Sequence, residues 1–159
     1  MMVDALDSLS RELLERLSVE KARPGATPST HLVGGIVKAG AKLEALLREV
    51  VKRVAAAERV APETLLTPIG GRPLTLHKAM AGPLAHGLKN HFAAGRAKTQ
   101  VPAVQPIVDD LCAYDSRILE FIRMRNEVAK EGREPRDAHI ATKRLHDLLL
   151  AFRKDAGWG

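Results

Sequence analysis

Residues 31–58 read HLVGGIVKAGAKLEALLREVVKRVAAAE, and this stretch decides the fold class. Leu32, Ile36, Leu43, Leu46, Leu47, Val50, Val51 and Val54 follow the three- and four-residue spacing that lines one face of an α-helix. It is the longest apolar stripe in the chain and predicts a helix over 31–58. Gly34 and Gly35 sit inside this helical pattern and not after a strand, so they do not form a phosphate-cradling loop.

The same spacing extends in both directions. Upstream, Val3, Leu6, Leu9, Leu13, Leu14 and Leu17 predict a helix over 3–18, and Pro24, Gly25 and Pro28 set a turn or linker after it. Downstream, Pro62, Pro68, Gly70, Gly71 and Pro73 mark an irregular connection. Thr75 then stands where a residue would cap a helix carrying Leu76, Met80, Leu84 and Leu88, which Pro83 kinks or divides. A second irregular stretch over 94–105 leads to Pro106, suited to a first helical turn, and to a helix over 106–129. On that helix Ile107, Leu111, Ile118 and Ile122 share a narrow sector, with Cys112 near it as a core residue. GREP breaks the chain at 132–135, and Pro135 with Asp137 opens a last helix carrying Ala141, Leu145, Leu148, Leu149 and Phe152. No stretch alternates apolar and polar residues between hairpin turns. The expectation is all-α: an up-and-down bundle of about five helices, with an N-terminal helix and Pro/Gly linker over 1–30 and the bundle over 31–155.

Composition narrows the function classes. At 159 residues and 45% hydrophobic, the chain is long enough to build one core without metal or disulfide. The single cysteine excludes an internal disulfide framework and fits a reducing cytoplasm. No run is long and apolar enough to span a membrane, and Asp4 and Asp7 stand where a secretory signal needs positive charge, so a soluble cytoplasmic protein is expected. Lys and Arg outnumber Asp and Glu by 25 to 19, a net charge of +6 that favours polyanions modestly. The basic residues cluster: between Glu63 and Asp109 there is no acid, while Arg72, Lys78, Lys89, Arg96 and Lys98 fall inside. The span is either an exposed basic surface or is neutralised by acids folding over it from elsewhere.

One constellation stands out. Arg125 falls on the apolar sector defined by Ile118 and Ile122, where an unpaired charge is costly to bury. It therefore needs a partner, either an external anion or a carboxylate of its own chain such as Asp115 or Glu120. Asn126 and Glu127 follow it directly, and Arg123 and Lys130 project on a neighbouring side.

The segment LEFIRMRNEVAKEGREPRDAHIATKRLHDLLLAF, from Leu119 to Phe152, resembles the C-terminal half of HEPN domains, helical bundles named for nucleotide binding in higher eukaryotes and prokaryotes. The family signature is an arginine followed by a polar residue and, four to six residues on, a histidine. Arg125 and Asn126 match the Arg-Asn pair, and Val128-Ala129 matches the small apolar residues before the histidine; Lys130 stands in the histidine's place. RPLTLHKAM, from Arg72 to Met80, is a weaker echo of a Leu-Thr-Leu-Gly segment, with His77 where the glycine belongs. The resemblance covers about 32–152.

The resemblance implies a homodimer that brings two such motifs to one cleft for metal-independent RNA cleavage. Imidazole supplies the proton transfer and guanidinium the charge stabilisation. Lys130 serves the second role but is poor at the first, because an ordinary lysine stays protonated. The favoured expectation is a noncatalytic member that dimerises and binds RNA, a nucleotide or a protein partner through Arg123, Arg125, Asn126 and Lys130. The implied setting is a bacterial defence or toxin–antitoxin system. The alternatives are an active ribonuclease using Arg125 with Lys130 or another residue, and a plain helical adaptor. His139 and His146 are weak substitutes for the missing imidazole. The offsets among His77, His86 and His91 make no metal set, so neither metal nor cofactor is expected.

Overall fold

The computed structural model describes residues 6, 8–15, 30–66, 75–93, 104–113, 116–131 and 142–150, with the backbone alone at 30–32, 93 and 128–131. Among these residues the protein is all-helical and has no strand. In chain order the elements are α1 (8–15), α2 (Thr30–Glu58), α3 (Pro62–Leu66), a short 3₁₀ turn (Leu76–Lys78), α4 (Ala81–Ala93), α5 (Gln105–Cys112), α6 (Arg117–Glu131) and α7 (142–150).

α2 is the central strut. Its 29 residues span about 43 Å, and Ile36, Leu43, Leu46, Leu47, Val50, Val51 and Val54 are completely buried. α4 and α6 pack against it and against each other, with α5 leaning on α4 and α6, and α1, α3 and α7 add Leu13, Leu65, Leu66, Leu145, Leu148 and Leu149 to the same core. Ser10 Oγ lies 3.0 Å from His146 Nδ1, which joins α1 to α7, and Arg144 donates to Glu120 at 3.1 Å, which ties α7 to α6. α2 closes with Arg59 in the left-handed region at φ 57°. Val60 N–H donates to Ala55 C=O at 3.0 Å and Arg59 N–H to Ala56 C=O at 3.3 Å, the paired bonds that satisfy a helix's last carbonyls.

Several boundaries differ from the sequence expectation. The expected helix over 106–129 is two helices. α5 stops at Cys112, and α6 starts after Ser116, whose Oγ accepts Leu119 N–H at 3.3 Å. Buried Asp110 holds the break together: its Oδ2 accepts Ile118 N–H at 3.1 Å and Ser116 O–H at 3.3 Å, and Arg117 Nε lies 3.7 Å from its Oδ1. Burial pushes the Asp110 carboxyl above its ordinary value of 3.8, against the opposing pull of those donors. Cys112, expected in the core, is exposed at the end of α5. The connection after α2 contains α3, whose Leu65 and Leu66 are buried although five residues are too few to display a period.

The start of α4 also corrects the expectation. Thr75 makes no side-chain cap and precedes only the 3₁₀ turn. The acceptor for the first N–H of α4 comes from α2: Glu44 Oε2 takes Ala81 N–H at 3.2 Å. Glu44 Oε1 also meets Arg48 at 3.1 Å, and Arg48 donates to Leu76 C=O at 3.1 Å and Ala79 C=O at 2.9 Å. Pro83 falls in the first turn, where its missing N–H has no intrahelical partner to lose, so it neither kinks nor divides the helix. Met80, expected on the apolar stripe, precedes the helix and is 55% exposed, while Leu84 and Leu88 are buried. The start of the last helix near Pro135 lies outside the described residues.

Candidate functional site

α6 carries the Arg-Asn pair. Ile118, Phe121, Ile122 and Met124 are buried, and Arg125 follows them half-buried at the edge of that face. Its stem lies directly on α2 at Gly40. A Cβ added there would stand 2.8 Å from Arg125 Cγ, 3.3 Å from Cδ and 3.2 Å from Nε. Only a glycine lets the arginine lie that close to the neighbouring backbone.

Arg125 has one polar partner among the described residues: Nη1 donates to Asn126 Oδ1 at 2.9 Å. Its Nε is buried and has no hydrogen-bond partner among the described residues. Glu120 is engaged by Arg144, not by Arg125, and Asp115 lies outside the described residues. The guanidinium charge is thus partly desolvated and, among the described residues, meets no carboxylate. A charge so placed projects its field further than one on an open surface.

Beside this pair a cleft of about 330 Å³ opens between α4 and α6. α4 contributes Gly82 and His86; α6 contributes Leu119 and Ile122 as apolar floor, then Arg123, Asn126 and Glu127. Of the four residues proposed from sequence, the structure brings Arg123 and Asn126 into this cleft. Arg125 stands behind Asn126 and does not line it. Lys130 belongs to α6 by its backbone, but its side chain lies outside the described residues.

The cleft is rich in donors. Arg123 and His86 are exposed, and Arg123 makes no ion pair with any described residue, Glu127 four residues on included. Asn126 is oriented by its neighbour. An arginine only donates, so the oxygen of the amide faces Arg125 and the NH2 is left for the cleft. Glu127 is the one acceptor side chain in the lining that carries charge. An apolar floor with a few converging polar groups is the usual make-up of a small-molecule or single-residue subsite.

Sequence reasoning missed His86 and Gly40. His86 comes from another helix, and no local pattern announces such a meeting. Gly40 did leave a signal, because a glycine within an apolar helical run often marks a close approach. The remaining histidines have structural partners or stand alone. His91 lies 2.6 Å from Glu58 Oε2, His146 bonds Ser10, and His77 is exposed on the 3₁₀ turn. His139, Arg72, Arg96 and Lys98 lie outside the described residues. The acid-free span is partly met by acids from α2, since Glu44 and Glu58 both reach α4. Among the described residues no three His, Cys, Asp or Glu side chains converge on a metal position, and no helix is long and apolar enough to cross a membrane.

No family model matches the chain, and neither a curated protein nor a solved structure is significantly similar to it. The functional reading therefore rests on the cleft and the residues around it.

Proposed function

We propose that this protein is a noncatalytic, HEPN-like helical bundle that binds RNA along the α4–α6 cleft, as a dimer in a bacterial defence or toxin–antitoxin setting. The observation that carries the reading is the set of donors in that cleft with no partner among the described residues: the Arg123 guanidinium and the Asn126 NH2, backed by the charge of Arg125, which meets no described carboxylate. Phosphodiester oxygens accept hydrogen bonds and carry the opposite charge. The apolar floor of Leu119 and Ile122 suits a sugar or base edge, and Glu127 suits a ribose hydroxyl or an exocyclic amine. The chain's net charge of +6 brings a polyanion toward the surface.

Binding of a fluorescein-labelled oligouridylate, followed by anisotropy across a salt series, tests the reading. The expected result is an affinity that falls steeply with salt. Arg123→Ala should weaken binding and lower the salt slope by about 1, the share of one phosphate contact. Undetectable binding at low salt removes RNA as the ligand and leaves a nucleotide or a protein partner. Light scattering of the same samples tests the dimer.

One observation favours a second reading, an active ribonuclease. His86 faces the same cleft as Arg123 and Asn126, so an imidazole reaches the site from α4 although Lys130 replaces the motif histidine on α6. Under that reading the protein cleaves RNA in the presence of a chelator and His86→Ala abolishes the cleavage. Under the noncatalytic reading the parent is inert, and Lys130→His restores cleavage.

A further inference from the structure

We infer that Arg125 is a positioning residue that never touches the ligand, and that it makes the Asn126 position of the cleft selective for hydrogen-bond acceptors by locking that amide with its NH2 outward. This inference rests on the cleft reading above and says which group reads the ligand and what sets its polarity.

A primary amide is ambivalent: its oxygen accepts, its nitrogen donates, and a free asparagine turns over to suit either kind of ligand. Asn126 does not have that freedom. Its Oδ1 receives Arg125 Nη1–H at 2.9 Å, and the reversed amide would set two donors against each other. The lock is built from behind by α2. Gly40 admits the Arg125 stem to within 2.8 Å of where a Cβ would stand, so the guanidinium rests against a helix backbone. Arg125 Nε is buried and bonds no described residue, so Asn126 Oδ1 is the one acceptor among the described residues that its guanidinium meets. Asn126 then presents two N–H groups in the lining it shares with Arg123, which pairs with no described carboxylate, an arrangement suited to phosphoryl oxygens; an N–H donor finds its acceptor at Glu127 and not at Asn126.

The decisive variant is Asn126→Asp. A carboxylate accepts from Arg125 at least as well as the amide, so folding is preserved, but it offers the cleft acceptors and negative charge in place of donors. Asn90→Asp, on an exposed position of α4 outside the cleft lining, makes the same charge change as a control. Asn126→Asp should lose more than about tenfold in oligouridylate affinity relative to Asn90→Asp with no fall in Tm. In the unaltered protein, titration with uridine monophosphate should shift the Asn126 side-chain NH2 resonances, and Arg125→Ala should remove that shift. Equal affinities of the two variants, or an unmoved Asn126 amide while oligouridylate binds, overturn the inference alone. Failure of oligouridylate to bind while the nucleotide moves the amide overturns the RNA reading alone. Silence in both experiments overturns both.

Discussion

Two glycines on α2 offer one chemical change with opposite expected outcomes. A Cβ built on Gly34 meets nothing within 4 Å, whereas one built on Gly40 falls 2.8 Å from Arg125 Cγ and 3.2 Å from its Nε. Alanine is favoured over glycine in a helix interior by about 1 kcal/mol, so Gly34→Ala should stabilise the protein by that amount. Gly40→Ala starts from the same gain. Carbon contacts prefer about 3.5 to 4.0 Å, so the Arg125 stem must retreat by about 1 Å. Its bond to Asn126 then stretches or breaks, and a hydrogen bond to a charged group contributes about 1.5 to 3 kcal/mol. The net for Gly40→Ala is a destabilisation of about 0.5 to 2 kcal/mol, so the two variants should differ by about 1.5 to 3 kcal/mol. For a domain of this size that is a separation in Tm of about 3 to 12 °C, read by thermal melts in far-ultraviolet circular dichroism. The comparison cancels helix propensity and isolates the seat of Arg125. If Gly40→Ala stabilises as much as Gly34→Ala, Arg125 does not lie against α2, and the account of its pairing with Asn126 fails with it.

Three further residues give outcomes that follow from the fold. Asp110→Ala should cost about 1 to 3 kcal/mol, because it leaves Ile118 N–H and the Ser116 hydroxyl unpaired, whereas Asp110→Asn keeps an acceptor and should cost less. Since the folded carboxyl holds its proton more tightly than the unfolded one, it adds stability below pH 3.8 that is lost as the pH rises through the folded value. Wild type should therefore compare better with Asp110→Asn in acid than at neutral pH in chemical denaturation, and a comparison that improves toward neutral pH contradicts the sign. Arg59→Gly relieves a left-handed residue and should raise stability by about 1 kcal/mol; an unchanged melt would mean that φ is not positive there. Glu44→Ala removes the acceptor that starts α4 and the carboxylate beside Arg48, and should cost about 1 to 2 kcal/mol with faster amide exchange at Ala81.

The helical class, the long strut of α2 and the apolar residues of α2, α5 and α6 were legible because each is written in a local period. Ile107, Leu111, Ile118 and Ile122 are all buried as their spacing implied, even though the helix they were placed on is two. The break was harder to see. It depends on Asp110 reaching across to Ser116 and Ile118, an interaction between residues that a continuous helix would also tolerate. Thr75 looked like a cap by residue type, yet the acceptor that α4 uses is Glu44, distant in sequence. Cys112 was misread because its side depended on extending one helical phase past a point where the helix ends.

The candidate site divides along the same line. That Arg125 shares a face with Ile118 and Ile122, that Asn126 adjoins it and that a partner is required all follow from the residues alone, since periodicity and the cost of burying charge are properties of one helix. Where the guanidinium rests is a matter of helix packing. Arg125 turns to α2 because Gly40 leaves room, Glu120 is drawn off by Arg144, and α4 brings His86 into the same cleft as Arg123. Those outcomes depend on how three helices pack, and packing is set by side-chain volumes summed over distant residues, which no local spacing encodes.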